Sequence, residues 1–120
     1  MEMRLLFVIA DFTSPIDEIE PGSLDIAYFI HSLEENTLPL ALYEAAKLVK
    51  PTGRVIICAD HRFDDKQPLG RWKGLTVDSI TRAAGCAGLM FDGDIDMDRR
   101  DAVAHPEWNL CGFHAVLRRE

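Results

Sequence analysis

A chain of 120 residues, 48% hydrophobic and 28% charged, has the composition of one globular domain; wholesale disorder is excluded, and a core can form without metals or disulfides. The formal net charge of -7 disfavours a broad nucleic-acid-binding surface, because such a field repels phosphate backbones. No apolar run approaches the roughly 20 residues a membrane helix requires, and the apolar start at Met1 is too short for an export signal, so the expectation is a cytoplasmic protein.

Residues 4–10 (RLLFVIA) form a short, nearly continuous apolar run that predicts a strand buried on both faces. The next stretch, DFTSPIDEIEPGS, holds two prolines, a glycine and several acids and reads as a connecting loop. Residues 24–30 (LDIAYFI) predict a second strand. Asn36 or Thr37 can then cap a helix whose first turn tolerates Pro39. Leu38, Ala41, Leu42, Ala45, Leu48 and Val49 recur at helical spacing as one apolar stripe, Lys47 and Lys50 suit the helix C-terminus, and Pro51 with Gly53 stops it.

Residues 54–59 (RVIICA) predict a third buried strand, and the polar stretch 60–74 a long loop. Thr76 caps a second helix that buries Val77, Ile80, Ala84 and Ala87 and ends at Gly88. From Leu89 the pattern alternates: Phe91, Gly93, Ile95 and Met97 interleave with Asp92, Asp94, Asp96 and Asp98, predicting one strand with all four acids on a wet face. The EF-hand calcium pattern fails, because its sixth and twelfth positions counted from Asp92 hold Met97 and Val103. Residues 110–117 (LCGFHAVL) predict the last strand, followed by a charged tail at 118–120. Cys58, Cys86 and Cys111 are odd in number and widely spaced, which argues for buried free thiols and against a zinc site.

The segment LDIAYFIHSLEENTLPLALYEAAKLVKPTGRVIICADH resembles the middle of class I S-adenosylmethionine-dependent methyltransferases. Asp25 matches the acid that opens that family's fourth strand, His31 the histidine of the following loop, and Lys50-Pro51-Thr52-Gly53 the Lys-Pro-Gly-Gly turn, with Thr52 in place of the first glycine. The helix from Thr76, the AGLMFDG segment and the closing WNLCGFHAVLRR are similar to the sixth and seventh strands and their hairpin, and FVIADF to the third strand. The strand ending in a glycine-rich loop, which normally holds the cofactor, has no counterpart: the eight glycines form no GxGxG-like cluster.

The resemblance implies a single truncated Rossmann-like α/β domain over residues 1–120. Its sheet is expected to be mostly parallel, of about five strands, with flanking helices and a C-terminal antiparallel hairpin. In the family the sheet order is 3-2-1-4-5-7-6, so strands 24–30 and 54–59 must lie side by side in one direction. The implied activity is methyl transfer from S-adenosylmethionine to a small molecule; the alternative is a non-catalytic remnant or assembly module that has lost cofactor binding. Asp11 and Phe12 match adenine-contacting positions. His31, together with the Asp60, His61 and Arg62 triplet, supplies an acid, titratable bases and an anion clamp at expected strand ends. Loss of the family's first two strands bares the edge of strand 24–30, which predicts a homodimer or a partner chain covering it.

Overall fold

The computed structural model describes residues 15–30, 33, 36–62, 75–98 and 110–120; for 59–62, 97, 98, 110, 111 and 113 it describes the backbone. The elements in chain order are β1 (Leu24–Ile30), α1 (Leu38–Leu48), β2 (Val49–Arg62), α2 (Val77–Cys86), β3 (Leu89–Phe91), β4 (Asp96–Asp98) and β5 (Leu110–Arg119). The predicted strand at 4–10 lies outside the described residues.

The apolar stripe of α1 is buried as its spacing requires: Leu38, Ala41, Leu42, Ala45 and Leu48 are all in the core. Thr37 takes the N-cap position without a side-chain cap bond, and Pro39 sits in the first turn, where a missing N–H costs nothing. α2 starts on a capping box. The Thr76 hydroxyl accepts from the Ser79 backbone N–H at 3.1 Å, and the Ser79 hydroxyl accepts from the Thr76 backbone N–H at 3.2 Å. Past the end of α2, Gly88 adopts φ +73°, a conformation that turns the chain sharply into β3.

Both helices pack on one side of the sheet. Val55 and Ile57 of β2, Ala115 and Leu117 of β5 and Leu89 of β3 meet Leu38, Leu42, Ile80 and Ala84 in one core. Each large side chain buried there contributes about 1.5–3 kcal/mol. Leu75, just before the α2 cap, is also buried, so the core reaches the entry of that helix.

β1 and β2 are parallel neighbours, paired from Ile26↔Arg54 to Ile30↔Cys58, as the resemblance demands. The sheet path is β1-β2-β5-β3, which corresponds to the 4-5-7-6 part of the family order. The sheet is mixed, which corrects the expectation of a mostly parallel one. Only β1 and β2 run parallel; β5 pairs antiparallel with β2, β3 and β4. The reason is that β5 follows β3 and β4 with no described helix between them and inserts between β2 and β3, so every contact it makes is antiparallel. The path has four strands, with the three-residue β4 as a side branch on β5.

Two local expectations also change. The alternating stretch from Leu89 is not one strand: it is interrupted at Asp92–Ile95, where Gly93 adopts φ +87°. Asp92 accepts from Arg54 Nε at 2.8 Å, and Arg118 lies 3.9 Å away. The residues read as a charged tail belong largely to β5. Arg119 donates from one nitrogen to the Ala46 carbonyl and, at 2.9 Å, to the Val49 carbonyl. A guanidinium thus closes the C-terminal end of α1, where the helix dipole favours a cation.

Candidate functional site

The candidate site is at the carboxyl ends of the parallel pair. β1 stops at Ile30, level with Cys58. β2 continues to Arg62, held by β5 through Ala59↔Phe113, Asp60↔Gly112, His61↔Cys111 and Arg62↔Leu110. This corrects the reading of Asp60, His61 and Arg62 as the opening of a loop: their backbone is strand. Local polarity suggested a loop, whereas the ten-residue β5 supplies the cross-strand hydrogen bonds that extend β2. His31 immediately follows β1, and Asp11 and Phe12 precede the described chain; all three lie outside the described residues.

The register also assembles groups that sequence reasoning passed over. Directly opposed residues project to the same face. Cys58 opposes His114 across β2 and β5, and His114 opposes Asp96 across β5 and β4, so a thiol, an imidazole and a carboxylate stand in one row. The Tyr28 ring lies 6.3 Å from that of His114, tilted by 54°. This row is on the face opposite the helices and level with the end of β1. An imidazole between a thiol and a carboxylate can accept or relay a proton from a bound small molecule. The signal in the sequence was only the strand expected at 110–117; pairing partners are not written in any one strand. Among the described residues no group of three or more His, Cys, Asp or Glu side chains is arranged to hold a metal ion.

The described glycines do not make a cofactor cradle. Gly22, Gly88 and Gly93 are turn glycines at positive φ with open space around them. Gly53 is the close-packed one: an added Cβ would meet the backbone oxygens of Asp25, Lys50 and Leu24 at 2.9–3.1 Å. It lies at the amino end of β2, away from the site. The described residues alone therefore supply no glycine cradle for a cofactor.

Electrostatics away from the strand ends centre on Glu44, the buried acid of α1. Burial works to raise its carboxyl, but the Ile16 backbone N–H and the Lys47 ammonium outweigh that effect and bring it below the ordinary glutamate value. A groove of about 340 Å³ between the helices is lined by Leu38, Pro39, Ser79, Arg82, Ala83 and Cys86, all of them helix residues.

No known protein family's sequence model matches the chain, and a search of curated proteins finds no match. Solved structures do match. Geranyl diphosphate C-methyltransferase from Streptomyces coelicolor A3(2) superposes with a TM-score of 0.70 over 94% of this chain at 11% identity. A TehB-like SAM-dependent methyltransferase from Corynebacterium glutamicum gives 0.57 over 94% at 17% identity. The chain has a partial methyltransferase-like fold. It covers 54% and 55% of those two proteins. The [4+2]-cyclase SpnF matches equally broadly, with a TM-score of 0.67 over 94% of this chain, 14% identity and 56% of its own length. The methyltransferase-like fold is thus shared with a protein described as a cyclase. No helix among the described residues is long and apolar enough to cross a membrane.

Proposed function

We propose that the chain is a methyltransferase-like domain that acts on a small molecule at the carboxyl ends of β1 and β2, with S-adenosylmethionine as the methyl donor. The observation that carries this reading is the β1-β2-β5-β3 order, with its single parallel pair at the edge and its antiparallel insertion. Methyl transfer from a sulfonium needs donor and acceptor held in line and, for some acceptors, a proton removed. His31 and the Asp60, His61 and Arg62 triplet are the proposed catalytic and substrate-contacting residues, and Asp11 and Phe12 the proposed cofactor contacts. The chemistry of His114 suits a proton acceptor in the same site.

A second reading, a non-catalytic module of the same fold, is favoured by one observation: no glycine cradle exists among the described residues, and no GxGxG-like cluster occurs in the sequence. Titration calorimetry with S-adenosylmethionine and S-adenosylhomocysteine separates the two. Binding tighter than about 100 μM, worth roughly 5–6 kcal/mol, supports the methyl-transfer reading; absence of binding at millimolar ligand sinks it and supports the module. The homodimer is likewise proposed. Its support is the outer face of β1, where Ile26, Tyr28 and Ile30 are 55%, 50% and 63% exposed, an apolar strip that a second copy would cover.

A further inference from the structure

Glu44 is the only charged or polar residue with a buried side chain among the described residues, 6% exposed. A carboxylate in such a place costs stability unless its charge and lone pairs are satisfied. One oxygen, Oε1, does both: it accepts from the Ile16 backbone N–H at 2.8 Å and pairs with Lys47 Nζ at 2.9 Å. Lys47 is one turn along the same helix, so it neutralises the charge without tying α1 to anything else. The Ile16 bond is different, because it joins residues 28 apart in sequence.

Ile16 belongs to the strap 15–23 that lies against α1 and leads into β1. The far end of the strap is held by backbone alone. The Gly22 N–H donates to the Lys47 carbonyl at 3.0 Å and the Ser23 N–H to the Leu48 carbonyl at 2.9 Å, satisfying carbonyls at the end of α1. Its middle is folded by internal turns, with the Ile19 N–H donating to the Ile16 carbonyl and the Ser23 hydroxyl to the Glu20 carbonyl. At the leading end, the polar attachment to the helix is the Glu44 carboxylate.

We propose that Glu44 is a latch that fixes the leading end of the strap on α1 and thereby couples the strap to the proposed cofactor contacts Asp11 and Phe12, which precede it in sequence. The latch stands on its own geometry; its consequence for cofactor binding rests on the proposed role of Asp11 and Phe12. Glu44 acts as a positioning residue. The charged groups on the elements around it are Lys47 on α1, Asp17, Glu18 and Glu20 on the strap, Lys50 at the start of β2 and Arg119 at the end of β5. Among these, Lys47 is the one in contact with the carboxylate. Protonation in acid removes the ion pair and weakens the charge-assisted bond to Ile16, so the latch opens as pH falls.

Amide hydrogen-exchange protection of Ile16, corrected for intrinsic exchange rates, tests this at pH 7 and at about pH 3. In Glu44→Ala the protection at pH 7 falls about tenfold or more, because a charge-assisted bond is lost, and it changes little between the two values. Glu44→Gln keeps an acceptor and cannot titrate, so its protection stays the same at the two values, whereas the unsubstituted protein loses protection in acid. Equal Ile16 protection in the unsubstituted protein and Glu44→Ala overturns the latch, and so does a Gln variant that follows pH as the unsubstituted protein does. If Glu44→Ala does not fold, the comparison of Glu44→Gln with the unsubstituted protein decides alone. Calorimetry with S-adenosylmethionine on the same samples tests the consequence. Weaker binding in Glu44→Ala that Glu44→Gln restores supports it, and unchanged affinity overturns it. A protein that binds no cofactor in any form refutes the cofactor reading, while the exchange data still decide the latch.

Discussion

Replacing Gly53 by alanine inserts one methyl group where the chain crosses from α1 into the parallel pair. Between Leu24↔Val49 and Ile26↔Arg54, β1 advances two residues and β2 five, so Lys50, Pro51, Thr52 and part of the Gly53 turn bulge away from the ladder. Gly53 closes that bulge from a buried position, and a Cβ there meets the Asp25, Lys50 and Leu24 oxygens at 2.9, 3.0 and 3.1 Å. All three are backbone atoms, so none can swing aside as a long side chain would. Overpacking of this kind costs about 1–3 kcal/mol. The stiffer unfolded chain returns about 0.4–1 kcal/mol, which leaves a net loss of about 1.3 kcal/mol at the midpoints of the two ranges. At this chain length that is a fall of several degrees in Tm. Gly85→Ala is the matched comparison: it makes the same chemical change inside α2, where an added Cβ meets nothing within 4 Å. It is expected to stabilise by about 0.5–1 kcal/mol. Urea unfolding followed by circular dichroism measures both. A Gly53→Ala protein as stable as the original, or two alanine variants that shift in the same direction, would refute the claim that close backbone approach requires this glycine.

Removing the α2 cap by Thr76→Ala leaves the Ser79 N–H without its acceptor, while the Ser79 hydroxyl still accepts from the backbone N–H of residue 76; a loss of about 1 kcal/mol is expected, with Thr76→Ser retaining most of the stability. An effect under a few tenths of a kcal/mol in denaturant unfolding would show that the box contributes nothing. Glu44 gives a signed pH dependence. Its folded-state pKa lies below the reference value of 4.5, so its contribution is complete above that value and is lost as pH falls from there through the lower, folded-state value. The stability difference between the unsubstituted protein and Glu44→Gln should therefore shrink in that acid window and stay constant above it. A difference that is flat with pH, or that grows in acid, contradicts the sign.

The helices were the most legible part of the chain because helical order is local. The 3.6-residue spacing of Leu38, Ala41, Leu42, Ala45 and Leu48 and the Thr76 cap each draw on residues within one or two turns. Strands were legible as apolar runs, but their ends were not. β2 runs on to Arg62 because β5 pairs with it, and nothing within DHR reveals a partner some 50 residues downstream. The acids from Asp92 onward misled for the opposite reason. Alternation is compatible with a strand, yet Gly93 can adopt a positive φ cheaply, which interrupts the ladder between Phe91 and Asp96. Of the candidate site, the row of Cys58, His114 and Asp96 became visible only through register.

Taken by itself, the sequence determined two amphipathic helices and the α2 cap, which follow from side-chain periodicity and backbone capping. The parallel pair followed from the strand–helix order and the family resemblance, and Lys50–Gly53, read as a turn, is a bulge within β2. The tertiary structure alone decided that β2 runs on to Arg62 along β5, that a guanidinium from the end of β5 closes α1, and that a buried glutamate holds the strap before β1. Each of these depends on contacts between residues 28 to 73 positions apart, whose energies exist only once the chain has brought them together.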